Sequence, residues 1–103
     1  IRMTDHAAAL ADTSKEIKAS LYYNLGQMLY KKFQFQAAAE AFQKAIDVNL
    51  SEPELMAKLH LWLGLSCKSL SLPLQAYMTY EKGLQFTPIS IPIRAQLYAA
   101  KER

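Results

Sequence analysis

The chain carries one pattern twice. Leu25-Gly26 is followed by Ala38, Phe42, Lys44, Ala45 and Ile46, and Leu63-Gly64 by Ala76, Tyr80, Lys82, Gly83 and Leu84, each residue 38 positions from its counterpart. A fixed period of this size is the signature of stacked helical repeats, in which one supersecondary unit cannot bury its apolar face alone and neighbours complete the core. Such arrays expose elongated surfaces and bind other molecules more often than they transform them.

The residues between the repeated positions predict helices throughout. Three glycines and four prolines act as punctuation, and Pro53, Pro73, Pro88 and Pro92 fall where the apolar periodicity breaks. No run of alternating β-branched residues argues for a strand. Residues 1–12 have good helix-forming composition around His6 and Leu10. Thr13-Ser14-Lys15-Glu16 reads as a capping box, which predicts a helix starting there and running to about Lys32. Tyr22, Leu25, Gly26 and Leu29 form its packing stripe at helical spacing. A partner helix over 35–48 buries Ala38, Ala41, Phe42, Ala45 and Ile46.

Ser51-Glu52-Pro53-Glu54 reads as a second capping box, with proline in the first turn where a missing N–H costs nothing. The next helix, about 53–70, is apolar almost all round, which marks an inner helix. Ser71 is the expected cap of a helix running to about Phe86. Thr87-Pro88 closes that helix, and Ser90 caps a last one from about Ile91. A longer turn is expected at Asn49–Pro53.

Composition removes several function classes. Twelve basic against nine acidic residues give a net charge of +3 and a pI near 9.0. The longest basic run is Lys31-Lys32, which argues against nucleic acid as the partner. Cys67 is the one cysteine, so no intrachain disulfide forms. No apolar stretch reaches the ~18 residues that span a bilayer, and no secretory pattern opens the chain. The first residue is Ile1, which reads as an excised fragment or the remnant of a tag.

His6 and His60 are isolated, and no pair has the spacing of a zinc motif. Cys67 shares a face with Leu63, Gly64 and Leu70 and reads as inert core. Glu52 and Glu54 suit a helix N-terminus better than acid/base chemistry. These residues predict no enzyme, no cofactor, no metal and no small-molecule substrate.

The repeated residues resemble the tetratricopeptide repeat, an antiparallel helix pair of about 34 residues. The first copy carries the resemblance on Tyr22, Leu25, Gly26, Leu29, Ala38, Phe42 and Ala45. The second carries it on Leu63, Gly64, Cys67, Ala76, Tyr80, Gly83 and Pro88. His60 stands where the second copy would prefer an aromatic, and Leu50 replaces the first copy's closing proline. The last helix continues at a spacing of 34, from Leu63 to Leu97, and resembles the capping helix of such arrays.

The resemblance implies an all-α fold of stacked antiparallel hairpins in a right-handed superhelix, with two repeats and a C-terminal capping helix. Residues 1–14 are then an N-terminal helix, the remnant of a preceding repeat or a tag. The first repeat spans 15–52, the second 53–90, and the cap 91–103. Two copies are few, since about three are normally needed for stability. The missing burial falls to residues 1–14, the last helix, another chain or further repeats.

In this family the first helix of each pair lines a concave groove. The implied groove residues are Tyr23, Asn24, Gln27, Tyr30 and Lys31, then Lys58, Leu61, Trp62, Leu65 and Lys68, with Gln96 as an extension. The implied function is a non-enzymatic protein-interaction module of scaffold or co-chaperone type, cytoplasmic or nuclear. It would hold a short, acidic peptide segment of a partner. Leu61, Trp62, Leu65, Tyr23 and Tyr30 also read as core covered by a neighbouring helix, and the lysines as plain solvated face. The alternative function is a structural, self-associating helical-repeat protein whose end faces stack into a homo-oligomer.

Overall fold

The computed structural model describes the backbone of residues 2–49, 51–86 and 89–102, with side chains from Ser14 onward. Every regular element among the described residues is a helix: α1 (Arg2–Lys31), α2 (Phe35–Asp47), α3 (Pro53–Ser69), α4 (Pro73–Leu84) and α5 (Ile91–Glu102). α1 and α2 form one hairpin, α3 and α4 a second. α2 packs on α3, and α5 closes the far end against α4 and α3. This is a tetratricopeptide-like helical repeat arrangement. Leu50, Thr87 and Pro88, and the side chains of His6 and Thr13, lie outside the described residues.

The two hairpins turn by the same device. After α1, Phe33 adopts φ 64°, and after α3, Ser71 adopts φ 63°. The Gln34 N–H donates to the Leu29 carbonyl at 2.9 Å and the Phe33 N–H to Tyr30 at 3.0 Å. The Leu72 N–H donates to Cys67 at 2.9 Å and the Ser71 N–H to Lys68 at 3.0 Å. This pairing is a Schellman cap, which satisfies the last carbonyls of each helix and reverses the chain. Its left-handed residue is usually glycine, so Phe33 and Ser71 hold that conformation against a steric cost.

The packing inside the hairpins is duplicated as well. A methyl group added at Gly26 would lie 2.5 Å from the Phe42 ring, and one at Gly64 would overlap the ring of Tyr80 in the same way. In each hairpin a ring from the second helix therefore seats directly on a glycine of the first. Ala38, Phe42 and Ala45 form a core with Met56 and Leu59 between the hairpins. Ala57, Leu61, Cys67, Ala76 and Tyr80 form another with Ile89, Ile93 and Leu97 from the C-terminal end. α3 contributes to both cores, which is why its apolar residues face all round.

Several local expectations fail, each for a physical reason. α1 runs without interruption through Thr13–Glu16. An alanine-rich stretch on one side and helix formers on the other make propagation cheaper than ending and nucleating again. Ser51 and Ser71 are not caps: Glu52 and Leu72 occupy the positions before α3 and α4, with no side-chain capping bond. Pro53 and Pro73 start those helices instead, their fixed φ being pre-set for a first turn. Ser90 precedes α5, and its carbonyl accepts from the Arg94 N–H at 3.1 Å. Leu25, expected in the packing stripe, is 44% exposed. Its stripe neighbours Tyr22 and Leu29 are half-buried, as is Ile46 on α2.

Candidate docking surface

The first helices of the two hairpins meet through aromatic side chains. The Tyr30 and Trp62 rings lie edge to face with centroids 5.4 Å apart, and Phe42 stands 6.0 Å from Trp62 and 6.3 Å from Tyr23. Burial pushes the Tyr23 phenol above its usual pKa, with the Trp62 side chain opposing the shift. Tyr23, Trp62 and Tyr30 are each half-buried. They are packed on one side and reachable on the other, the usual placement of an amphipathic ring at a binding surface.

Two clefts open beside this aromatic centre. The first, of about 630 Å³, is lined by Ser20, Tyr23, Leu55 and Lys58, with Glu52 and Glu54 at the start of α3. The second, of about 300 Å³, is lined by Leu61, Leu65 and Lys68 of α3 and by Gln96, Ala99 and Ala100 of α5. Leu61 is nearly buried and forms a floor shared with the core, whereas Lys68 and Gln96 are exposed. The two clefts thus hold Tyr23, Lys58, Leu61, Leu65, Lys68 and Gln96, while Tyr30 and Trp62 sit in the aromatic cluster. Asn24 and Lys31 are exposed and Gln27 is half-buried, and these three line neither cleft.

Sequence reasoning missed Ser20, Ala99 and Ala100, and it read Glu52 and Glu54 only as helix-terminus carboxylates. The repeat offset held the signal for the first two. Ser20 stands one 38-residue period before Lys58, and Ala99 stands 34 residues after Leu65. The carboxylates change the electrostatics. The cleft beside Lys58 is mixed in charge, whereas Lys68 is the charged residue lining the other.

Among the described residues, the thiol and the imidazole are buried. Cys67 is a buried free thiol whose pKa burial raises, which disfavours the nucleophilic thiolate. His60 is buried with its Nδ1 donating to the Met56 carbonyl at 2.8 Å. Burial lowers its pKa, and the Lys82 charge adds to that, against the pull of the Met56 carbonyl. Among the described residues, no three His, Cys, Asp or Glu side chains gather as a metal site. No described helix is long and apolar enough to cross a membrane.

Comparison with known proteins agrees with this geometry. Residues 19–51 match the family model of the tetratricopeptide repeat. No curated protein and no solved structure matches the chain.

Proposed function

We propose, from the premise that residues 19–51 match the tetratricopeptide repeat model, that this chain is a protein-interaction module holding a short extended segment of a partner along α1, α3 and α5. The observation that carries this reading is the half-buried aromatic centre of Tyr23, Tyr30 and Trp62 between two clefts. Tyr and Trp dominate binding hot spots because they offer large contact area with few rotors to freeze. The Leu61–Leu65 floor accepts an apolar side chain, and Lys68 at its rim favours an acidic neighbour. Ser20 and Gln96 are placed to hydrogen-bond the peptide backbone. Asn24, Gln27 and Lys31 extend the surface along α1.

A scaffold or co-chaperone role inside the cell is part of this reading. The test is selection from a displayed library of random peptides. Enriched sequences should pair apolar with acidic residues. Their affinity should fall ~10-fold or more in Lys68→Glu, with helical circular dichroism unchanged; such a loss corresponds to about 1.4 kcal/mol. Enriched peptides that bind the variant as tightly as the parent would remove the α3–α5 cleft from the site.

A further inference from the structure

The outer face of α1 is bare and apolar. Ile17, Leu21, Leu25 and Met28 are 55, 63, 44 and 56% exposed, on the side of the helix away from the Gly26–Phe42 contact. One period later the equivalent residues are Leu55, Leu59, Leu63 and Ser66. There Leu59 is fully buried, and Leu55 and Leu63 pack on the cluster built from Ala38, Phe42 and Ala45 of α2. The molecule thus displays once what covers this set of positions: an α-helix lying alongside. Residues 2–14 do not supply it for α1, because they continue α1 in line.

The sequence of α1 adds a second observation. Met3, Leu10, Ile17 and Asn24 recur every seven residues, as do Ala7, Ser14, Leu21 and Met28. The two series interleave at steps of four and three, the d and a positions respectively of a coiled-coil seam. Lys18 falls at the flanking e position, and Lys32, in the turn after α1, continues that series. Glu16, the one acidic residue between Ser14 and Lys31, lies roughly 140° round the helix from Leu21, at 3.6 residues per turn. The rim of the seam is therefore basic or neutral, with no acid to answer the lysines of an identical copy. An isologous pair presents the same rim to itself, so self-pairing gains no charge complementarity, whereas a partner with acidic flanks does.

We propose that the Ile17–Met28 face of α1 is a docking site for an amphipathic helix of another polypeptide, one with a heptad apolar stripe and acidic flanking positions. This face shares no residue with the aromatic centre or the α3–α5 cleft and adjoins the proposed peptide surface at Asn24 and Ser20, so Leu21→Asp and Lys68→Glu tell the two sites apart.

The probe is a four-heptad synthetic helix with Leu at a and d and Glu at e and g, measured by fluorescence anisotropy against the full chain. A control peptide carries Lys at e and g. The acidic peptide should bind ~10-fold or more tightly than the basic one, a difference of about 1.4 kcal/mol. Leu21→Asp and Met28→Glu should each weaken it at least as much, with circular dichroism unchanged, and Lys68→Glu should leave it intact. Absence of binding, equal binding of both peptides, or loss in Lys68→Glu rather than Leu21→Asp overturns the proposal. Sedimentation of the chain alone checks the occupant. A monomer supports the proposal, and a dimer dispersed by Leu21→Asp assigns the face to a second copy and overturns it.

Discussion

α1 and α3 are the same helix in two settings. Both carry a glycine under a ring of the following helix, and both end in the same left-handed cap. They differ on the opposite side, where Leu59 has α2 against it and is fully buried while Leu21 is 63% exposed. Sequence identity at a repeat position therefore sets what a residue is able to pack against. Whether it does so depends on the neighbour. In a nearest-neighbour array the stability of each unit is its own plus that of its interfaces, and α1 has one flank fewer than α3.

The sharpest way to break the comparison is to truncate matching residues. Phe42→Ala should cost ~3–5 kcal/mol and Leu59→Ala ~2–5 kcal/mol, read as shifts in urea midpoint at constant slope. Leu21→Ala should stay within ~0.5 kcal/mol of the parent, as exposed changes do. Equal costs for Leu21 and Leu59 would show that something covers α1 in solution. The glycines test the shared half of the comparison. Gly26→Ala and Gly64→Ala should each cost ~1–3 kcal/mol from overpacking, despite alanine's better helix propensity. A stabilising effect at either would mean that its ring moves away freely.

Phe42 and Tyr80 are counterparts, yet Tyr80 carries a hydroxyl that is buried with no hydrogen-bond partner. Burial, with smaller contributions from Tyr30 and Cys67, raises that phenol to about 12. An unpaired buried hydroxyl costs ~1–3 kcal/mol, so Tyr80→Phe should be neutral or stabilise by ~1 kcal/mol. A clear loss of stability would show that the hydroxyl has found a partner. At the caps, Ser71→Gly should relieve the left-handed strain and raise stability by ~0.5 kcal/mol after the entropy that glycine adds to the unfolded chain.

His60 offers the smallest contrast, standing where the first hairpin has Tyr22. Its pKa is lowered in the fold, chiefly by burial. The unfolded chain therefore binds a proton more readily than the folded one, and stability rises with pH wherever that holds. Stability should fall as pH drops through the ordinary value of 6.5 and level off below the folded value. His60→Tyr should flatten that slope in denaturation series near neutrality, and an unchanged slope would assign it to other groups.

The order of the helices and their pairing were legible because the 38-residue period states them twice; the period also marked Gly26, Phe42, Gly64 and Tyr80 as counterparts, but that each ring seats on a glycine came from the structure. The start of α1 was not legible, nor were the residues that cap α3 and α4. Thr13, Ser51 and Ser71 have capping side chains, but a hydroxyl or carboxylate near a helix start advertises an option that prolines or a continuing helix override. Leu25 was misplaced for a different reason: burial at that position comes from a neighbouring unit, and nothing within α1 records whether one is there. The candidate surface was legible as a face, through Tyr23, Trp62 and Lys68. Its division into two clefts was not, because α5 brings Ala99 and Ala100 across from a distant part of the chain.

The seating of each ring on its glycine has a consequence for how the protein is made. Gly26 and Phe42 are 16 residues apart, as are Gly64 and Tyr80, so either clasp closes within its own segment and needs nothing distant. Contacts this local form early and quickly. During synthesis, domains and their parts fold as they emerge, the N-terminal portion first. The leading clasp is therefore able to shut while the trailing one is still being translated, and it presents the finished flank of α2 as a template on which α3 condenses.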